Sequence, residues 1–401
     1  MTDIIIKSKI RDYRVKFVDN FKFLEELAGI NNHILMVDKN VYNLYSDMIN
    51  KSFRKDNILV IEAIENNKTT DKVIEIYRYL INKSAKRNTT IISLGGGIIQ
   101  DITGFIASTL YRGVNWVFIP TTLLSQADSC IGSKTSLNFE SYKNLIGTFY
   151  PPAEIYINVG FLRTLTKLDF YSGVGEIIKL QLMKEQYPKD FEEIVKIVNK
   201  AKKDQLYLPN LIKHCLEIKQ AYFKNDEFDL GRRNLLNYGH SLGHALENSS
   251  NYYIPHGVAV IIGMIFANII SLKRGGINRN LFNYLNDDLL IPNIPIKLKK
   301  EHFSYNILLN NMKTDKKRIG KELSLILPNS EFKMTKINDL SEIEFKKGLE
   351  FLIEILFGGC LKRTVSTKKG LVYQQMHSNS DALKRGNKFG IRSQVKRRDD
   401  L

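Results

Sequence analysis

Three histidines and one glutamate in the middle of the sequence have the types and spacing of metal ligands. His240 and His244 are four residues apart in Asn-Tyr-Gly-His-Ser-Leu-Gly-His, so both would lie on one face of a helix. His256 follows after a proline, and Glu176 lies in the apolar run Gly-Val-Gly-Glu-Ile-Ile. Two imidazoles and one carboxylate form the donor set of an open catalytic zinc site. From the residues alone, the His-x-x-x-His spacing can also arise by chance, and Glu176 could instead pair with a neighbouring lysine.

A glycine turn at Gly95–Gly97 could hold a phosphate group. The turn connects an apolar strand, Thr89–Leu94, to a helical stretch, Ile99–Tyr111. Glycines let the backbone approach an anion, and the N-terminus of the following helix offers free N–H groups. Asp101, one turn into that helix, could accept a hydrogen bond from a ribose hydroxyl. The spacing differs from the usual G-x-G-x-x-G fingerprint, so a plain strand-to-helix turn is the alternative.

Basic residues in apolar or glycine-rich surroundings point to an anionic substrate. Several lie in or near a long polar segment, Pro120–Gly147, and such a segment after a buried strand is typical of a functional loop. Phosphate and carboxylate groups need several cations around them. Surface ion pairing is the alternative for any one of these residues, but not for all of them. They are Arg112, Lys134, Lys143, Lys179, Lys219 and Arg233.

Periodicity places these residues in two kinds of structure. Strands that alternate with helices predict a parallel sheet in the first part of the chain, with ligands at the carboxyl ends of the strands. After about Thr166 the pattern is one of long helices, and no strand is expected. We therefore predict an α/β nucleotide-binding domain at residues 1–167, an all-α domain at 168–357 and a disordered tail at 358–401. Expected strands are Ile4–Ile6, Tyr13–Phe17, Asn32–Asp38, Asn57–Glu62, Thr89–Leu94 and Trp116–Ile119; expected helices are Thr70–Asn82, Ile99–Tyr111, Ser172–Lys184, Lys189–Ala201, Leu208–Lys224 and Gly257–Lys273.

Composition excludes several classes of protein and partner. The 401 residues have a globular composition, with 43% hydrophobic and 25% charged positions. The net charge of +17 is uneven, because residues 358–401 carry 11 Lys and Arg against 3 Asp and Glu. Such a charge run is typical of a solvated tail, so we expect no nucleic-acid partner. The longest apolar stretch, Val258–Leu272, predicts a buried helix rather than a membrane span. Three cysteines without a pairing pattern and no secretory signal predict a cytoplasmic protein.

Six ordered motifs together resemble the 3-dehydroquinate synthase family of sugar phosphate cyclases. The similarity runs from about Asp38 to about Arg318. It implies an NAD-binding α/β domain, a helical domain, an active site between them and a homodimer. The motifs are Gly-Gly-Gly-Ile-Ile-Gln-Asp at 95–101, Tyr-Arg-Gly at 111–113, Ile-Pro-Thr-Thr-Leu-Leu at 119–124, Asp-Ser-Cys-Ile-Gly-Ser-Lys-Thr at 128–135, Lys-Asn-Leu-Ile-Gly at 143–147 and Asn-Tyr-Gly-His-Ser-Leu-Gly-His at 237–244.

The resemblance also assigns residues to the cofactors. Zinc, or cobalt or another divalent metal, would be bound by Glu176, His240 and His256. His244 would then be a polar or proton-handling residue and not a ligand, which revises the interpretation drawn from spacing. The NAD contacts that it implies are Asp38, Asn40, Glu65, Lys68, Gly96, Gly97, Asp101, Thr121, Thr122, Lys143, Phe161 and Thr164.

The implied reaction converts a phosphorylated seven-carbon keto acid, 3-deoxy-D-arabino-heptulosonate 7-phosphate, to 3-dehydroquinate and phosphate. Oxidation by NAD, elimination of phosphate, reduction and an aldol closure follow one another. Residues implied in catalysis are Lys134, Asn144, His244, Asp229 and Arg112; residues implied in substrate binding are Asp128, Lys179, Lys219, Arg233, Asn237 and Lys316.

Four positions depart from the family's usual pattern and keep other functions open. Ser133 and Tyr142 replace glycines, Val258 replaces a glutamate, and Asp229 replaces a glutamate with a shorter acid. The nearest alternative is a related cyclase of specialised metabolism, such as a 2-deoxy-scyllo-inosose, valiolone-type or aminodehydroquinate synthase. A metal-dependent polyol dehydrogenase is a more distant alternative.

Overall fold

The computed structural model describes residues 2–140, 142–185, 189–313 and 323–358. In this part of the chain, seven strands form one sheet, in the order β1 (Ile4–Ile6), β2 (Tyr13–Phe17), β9 (Glu154–Ile157), β6 (Asn115–Pro120), β5 (Thr90–Gly95), β3 (His33–Asp38) and β4 (Ile58–Ile61). The strands pair in parallel, except for β1 with β2. A separate antiparallel hairpin comprises β7 (Lys134–Phe139) and β8 (Tyr142–Phe149).

Helices cover both faces of this sheet, and so its central strands are apolar on both sides. In β3, Leu35 and Val37 contribute to one hydrophobic core, while Ile34 and Met36 contribute to the core on the opposite face. The expected strands and the expected parallel sheet are confirmed, with strand ends shifted by at most one residue. The helices of this region are α1 (Phe23–Ala28), α2 (Lys39–Ser52), α3 (Thr70–Asn82) and α4 (Gly97–Thr109).

Helices dominate the rest of the described chain. Its longest helix spans His256–Lys273 and is long and apolar enough to cross a membrane by length and composition alone. However, every residue from Gly257 to Ser271 is buried within the fold, so packing accounts for its apolar sequence. The helices are α5 (Lys167–Met183), α6 (Phe191–Ala201), α7 (Leu208–Phe223), α8 (His240–Ser249), α9 (His256–Lys273), α10 (Arg279–Tyr284), α11 (Tyr305–Lys313) and α12 (Glu342–Phe357).

Two hairpins depart from the expected structure. The segment that we expected to be a polar loop contains β7 and β8, which pack against α4 near Gly104 and Thr135. A second hairpin, β10 (Leu323–Pro328) with β11 (Met334–Leu340), contradicts the expectation of no strand after Thr166. Short apolar runs such as β10 cannot be distinguished from buried helix by periodicity, and for that reason the sequence did not reveal this hairpin.

The described residues up to Phe357 form one compact unit, and the chain from Gly358 onward is separate from it. The sheet and the helices therefore belong to one unit. The boundary near residue 167 between two domains stays a prediction. The expected disorder of the tail concerns residues that, apart from Gly358, lie outside the described ones.

Candidate metal and nucleotide site

Glu176, His240 and His256 converge at the meeting point of three helices. Glu176 lies in the middle of α5, while His240 and His256 are the first residues of α8 and α9. The Oε1 atom of Glu176 lies 2.9 Å from Nε2 of His256 and 3.5 Å from Nε2 of His240. One donor atom from each of the three residues lies within 4.8 Å of the others. Residues separated by 80 positions in the sequence thus share one site.

Glycines let these helices approach each other closely enough to form the cluster. A Cβ added to Gly175 would collide with the carbonyl of Gly257, and one added to Gly257 would collide with the carbonyl of Ser172. Since Gly175 precedes Glu176 and Gly257 follows His256, this contact brings the carboxylate and the imidazole together. In the same way, Gly263 of α9 packs against the carbonyl of Gly239, immediately before His240.

Hydrogen bonds orient both imidazoles for metal binding. The Nδ1–H of His240 donates to the carbonyl of Tyr238 at 3.1 Å, because that oxygen can only accept. Nδ1 of His256 lies 3.0 Å from the carboxylate of Glu247 and also carries a proton that it donates. Both Nε2 atoms therefore face Glu176, and this donor set fits a divalent metal with an open coordination position.

Buried charges of both signs surround the cluster. The ammonium of Lys179 lies 2.5 Å from Glu176 and 3.2 Å from Asp128, and Lys219 pairs with Asp128 at 2.6 Å. Burial alone would raise the pKa of Glu176, but Lys179 and the imidazoles hold it well below its ordinary value. Burial would likewise lower the pKa of His256, but Glu247 and Glu176 raise it to about 10. For His240, burial and Lys179 lower the pKa, which favours the neutral, metal-binding form.

Glu247 is a buried residue at the site that sequence reasoning missed. Its side chain is 6% exposed, and its carboxylate lies 3.0 Å from His256 and 3.2 Å from Lys143. His244, Glu247 and His256 also form a second group with donor atoms within 4.8 Å of one another. The signal that could have revealed Glu247 is its spacing, since His240, His244 and Glu247 follow one face of α8.

A cavity of about 520 Å³ adjoins the histidines. The Lys134 ammonium forms an ion pair with the Asp229 carboxylate, which couples the β7–β8 hairpin to the loop before Arg233. Four of the five residues predicted for catalysis and the metal-ligand candidate His256 lie around one space large enough for a small substrate. Its lining includes Lys134, Asn144, Asp229, His244 and His256.

The glycine turn lies where three central strands end. Thr121 N donates to the carbonyl of Gly95 at 2.9 Å, so the ends of β5 and β6 are hydrogen-bonded. A Cβ on Gly96 would lie 3.0 Å from the Thr122 side chain, and one on Gly95 would lie 3.1 Å from Cβ of Asp38. Gly95 is buried, and Gly96 and Gly97 are half-buried, at the carboxyl edge of the parallel sheet and the start of α4. This geometry fits a nucleotide phosphate.

Lys68 connects several of the residues predicted to bind the cofactor. This buried ammonium donates to Asp101 at 2.6 Å and to Asn144 at 2.5 Å. Burial would lower the pKa of Lys68, but Asp101 and Glu65 raise it above its ordinary value. Ser136, which sequence reasoning also missed, donates to Asp101 and has Asn144 as a second partner at 2.8 Å.

Comparisons with known proteins identify the family. Two consecutive family models match, "3-dehydroquinate synthase N-terminal" at residues 58–172 and "3-dehydroquinate synthase C-terminal" at residues 173–318. The 3-dehydroquinate synthase of Clostridium tetani is 38% identical over 319 residues, which cover 79% of this chain and 84% of that protein. The chain belongs to the 3-dehydroquinate synthase family.

Solved structures of other cyclases share the fold of this 3-dehydroquinate synthase family member. One is 2-epi-5-epi-valiolone synthase from Streptomyces hygroscopicus with NAD+ and Zn2+ bound, with a TM-score of 0.76 and 23% identity, covering 87% of this chain and 98% of that one. Another is 2-deoxy-scyllo-inosose synthase complexed with carbaglucose-6-phosphate, NAD+ and Co2+, with a TM-score of 0.72 and 23% identity, covering 88% and 99%. The fold class predicted from the sequence is confirmed.

Some residues implied by the family resemblance lie away from the cavity. Arg112 is exposed in a turn after α4, with a φ of 63°. Phe161 is buried in an aromatic cluster with Tyr45, whose hydroxyl lies 2.9 Å from Oγ1 of Thr164. Asn40 donates its backbone N–H to Asp38 at 3.1 Å. Lys316 lies outside the described residues. The roles assigned to these residues stay predictions.

Arg233 and Asn237 bond to the backbone in this structure. The guanidinium of Arg233 donates to the carbonyls of Gly132, at 2.8 Å, and Glu227. Asn237 donates to the carbonyl of Asn234 at 2.8 Å and lines a smaller pocket with His240 and His244. Asn237 therefore lies beside the histidines, whereas Arg233 is not among the residues that line either pocket.

Proposed function

We propose that this chain is a 3-dehydroquinate synthase that converts 3-deoxy-D-arabino-heptulosonate 7-phosphate to 3-dehydroquinate and phosphate. The observation that carries the proposal is the convergence of Glu176, His240 and His256 beside the cavity lined by Lys134 and Asn144. Curated relatives at 38% and 34% identity over most of the chain bear that name. The product belongs to the shikimate route to aromatic amino acids.

The residues present fit both cofactors that the family implies. Glu176, His240 and His256 would hold zinc or cobalt, and the glycine turn with Asp38, Asp101, Thr121 and Thr122 would hold NAD. When bound, the metal supplies Lewis acidity toward a substrate hydroxyl, and NAD supplies reversible acceptance of hydride. The buried ammonium of Lys179 keeps Glu176 ionised, and hence in the form that binds metal.

Cations and hydrogen-bond donors in the cavity would bind the phosphate of the substrate. Lys134, Asn144 and His244 line one space, and a phosphate there would find both charge and donors. Asp229 is held on Lys134, so binding of phosphate would compete with this ion pair and release the carboxylate. A released Asp229 could then accept a proton, with Lys134 neutralising the leaving group.

The carboxylate end of the substrate would lie nearer the helical part of the site. Lys179 and Lys219 are buried around Asp128, and the substrate carboxylate would share their charge with this residue. The family resemblance adds Lys316 and Arg233 to this end as predicted contacts.

A related cyclase acting on a sugar phosphate without a carboxylate is the second candidate. One observation favours it: the Arg233 guanidinium is occupied by two backbone carbonyls and is not among the residues that line the cavity. Because such a substrate has no carboxylate, it would not need Arg233 as a partner, and the guanidinium would keep its bonds to the backbone carbonyls.

Phosphate release from 3-deoxy-D-arabino-heptulosonate 7-phosphate tests the proposal. With a divalent metal and NAD far below the substrate concentration, we expect many turnovers, because hydride is returned within each one. NADH should not accumulate, so its absorbance should stay constant. Steady accumulation of NADH would indicate a polyol dehydrogenase instead. Release of phosphate only from a carboxylate-free sugar phosphate would establish the second candidate.

We further propose a cytoplasmic homodimer. The family resemblance supports the dimer, and cysteine usage supports a reducing compartment. Light scattering on the purified protein measures the mass directly, and a value near the chain mass of 46.2 kDa would contradict the dimer.

A further inference from the structure

One buried carboxylate, that of Glu247, touches both a metal-ligand candidate and a residue predicted to bind NAD. Its Oε2 lies 3.0 Å from Nδ1 of His256, and its Oε1 lies 3.2 Å from the ammonium of Lys143. Lys143 belongs to β8 and Glu247 to α8, so the contact joins the hairpin to the helical part. A carboxylate this deeply buried is costly unless both of its oxygens have partners.

The geometry distinguishes Glu247 from the three ligand candidates. The ring of His256 lies between two carboxylates, with Nε2 toward Glu176 and Nδ1 toward Glu247. An ion held by Nε2 and Glu176 therefore lies on the side of the ring away from Glu247. Glu247 can accept the Nδ1 proton while Nε2 binds metal, as the outer carboxylate does in many zinc sites.

We propose that Glu247 is a positioning residue that fixes His256 as a metal ligand and links this ligand to Lys143. The proposal rests on the proposed function, because it takes Glu176, His240 and His256 as the ligands. Accepting the Nδ1 proton sets the tautomer and the ring orientation and makes Nε2 a stronger donor. His256 and Lys143 each pair with one carboxylate oxygen of Glu247, so the link to Lys143 is separate from the contact that orients His256.

The ring of Tyr252 completes the arrangement. The ammonium of Lys143 lies 4.3 Å from the centre of this ring, and Tyr252 follows α8 closely in the chain. A cation over an aromatic face is attracted to it. Lys143 therefore contacts one residue in the last turns of α8 and one just after this helix, and we expect its position to depend on Glu247.

Metal affinity measured on the purified protein tests this role. We would strip the full-length chain with a chelator and titrate it with Co2+ in competition with a coloured chelator. Glu247→Gln keeps the size of the side chain and removes its charge. We expect a 10- to 100-fold weaker affinity for Co2+, the loss typical when an outer-shell partner is removed. We also expect a shifted visible spectrum of bound Co2+, because the ring of His256 would turn.

Matched variants separate this role from a general effect of charge or folding. Glu192→Gln removes the same charge on the exposed face of α6, where its partner is Lys196, and should bind Co2+ as the wild type does. Lys143→Met removes the other partner of Glu247. It should weaken NAD binding but leave Co2+ affinity at least as high, since the carboxylate charge then acts on His256 alone. Far-ultraviolet circular dichroism checks that each variant is folded.

The outcomes distinguish failure of the proposed role of Glu247 from failure of the proposed function. A folded Glu247→Gln variant with wild-type Co2+ affinity and spectrum would overturn the role of Glu247 and leave the proposed function intact. Equal loss of Co2+ affinity in Lys143→Met would also overturn it, because the effect would then follow the ion pair and not His256. A wild-type protein that binds neither Co2+ nor NAD would overturn the proposed function itself.

Discussion

Glu176 is the most deeply buried of the three metal-ligand candidates. Its side chain is 1% exposed and contacts Lys179 and two imidazoles. Removing this carboxylate would leave Lys179 with only Asp128 and would leave two neutral ligands for the metal. We expect Glu176→Ala and His256→Ala to lose bound metal and activity together. Inductively coupled plasma mass spectrometry, which measures the metal content per chain, checks this prediction.

A matched surface change serves as the control for the ligand variants. Glu192→Ala also removes a carboxylate, but an exposed one on α6, so metal content and activity should stay at wild-type levels. Stoichiometric metal retained in both Glu176→Ala and His256→Ala would mean that other residues bind the ion.

The protonation of His256 makes the stability of the metal-free protein depend on pH. The Glu247 and Glu176 carboxylates raise its pKa to about 10, above a value of about 6.5 in the unfolded chain. This contribution to stability is complete below about pH 6.5 and is lost as the pH rises through about 10. We expect the free energy of unfolding in urea to fall between pH 6.5 and 9.5 when a chelator is present.

With saturating Zn2+, the free energy of unfolding should rise with pH over the same range instead of falling. Metal must displace the Nε2 proton of His256, so metal binding strengthens as the pH rises, and bound metal stabilises the folded state. The variant His256→Gln should lose the decline seen in chelator. The same decline in wild type and variant would show that another group titrates.

At the scale of the helices, close contacts between α5, α8 and α9 determine where the three metal-ligand candidates lie. Gly257 packs against the Ser172 carbonyl of α5, and Gly263 packs against the carbonyl of Gly239 before α8. We expect Gly257→Ala to push α9 away from α5, which would separate His256 from Glu176. Metal affinity should fall at least 10-fold, and the midpoint of thermal unfolding should also fall. Gly29→Ala, at the end of α1, is the control.

Much of the architecture followed from apolar periodicity. Strands β3, β5 and β6 are buried apolar runs, and α3 begins and ends at the residues that its periodicity predicts. The two hairpins were missed for different reasons. In β7, only Thr135 and Leu137 are buried between polar residues, which resembles a polar loop. β10 is as long as β3, β5 and β6, but it lies in a helical region, where a short apolar run cannot be distinguished from buried helix.

The candidate site was only partly accessible from sequence. Residue types and family motifs pointed to Glu176, His240 and His256, which the structure brings together. Spacing could place Glu247 on the face of α8 that carries His240 and His244, but its contact with His256 depends on the packing of α8 against α9. The orientation of Arg233 toward backbone carbonyls was equally hidden, because it depends on the turn at Gly132.

At the scale of the whole molecule, the residues of the candidate site and the basic tail occupy different parts of the sequence. Family models match residues 58–318, and the residues predicted to act in catalysis and binding lie between Asp38 and Lys316. The compact unit that holds them ends at Phe357. The 44 residues from Gly358 onward are separate from it and carry a net charge of +8, nearly half of the total of +17.

We therefore expect a chain that ends at Gly358 to keep both the activity and the thermal stability of the full-length protein. Its net charge falls by 8, so its retention on a cation-exchange column should fall as well. The comparison uses phosphate release and the midpoint of thermal unfolding. Loss of function in the truncated chain, together with wild-type function in Glu176→Ala, would mean that the protein acts through binding by its basic tail. Full activity in the truncated chain places the chemistry within residues 1–358, where Glu176, His240 and His256 meet.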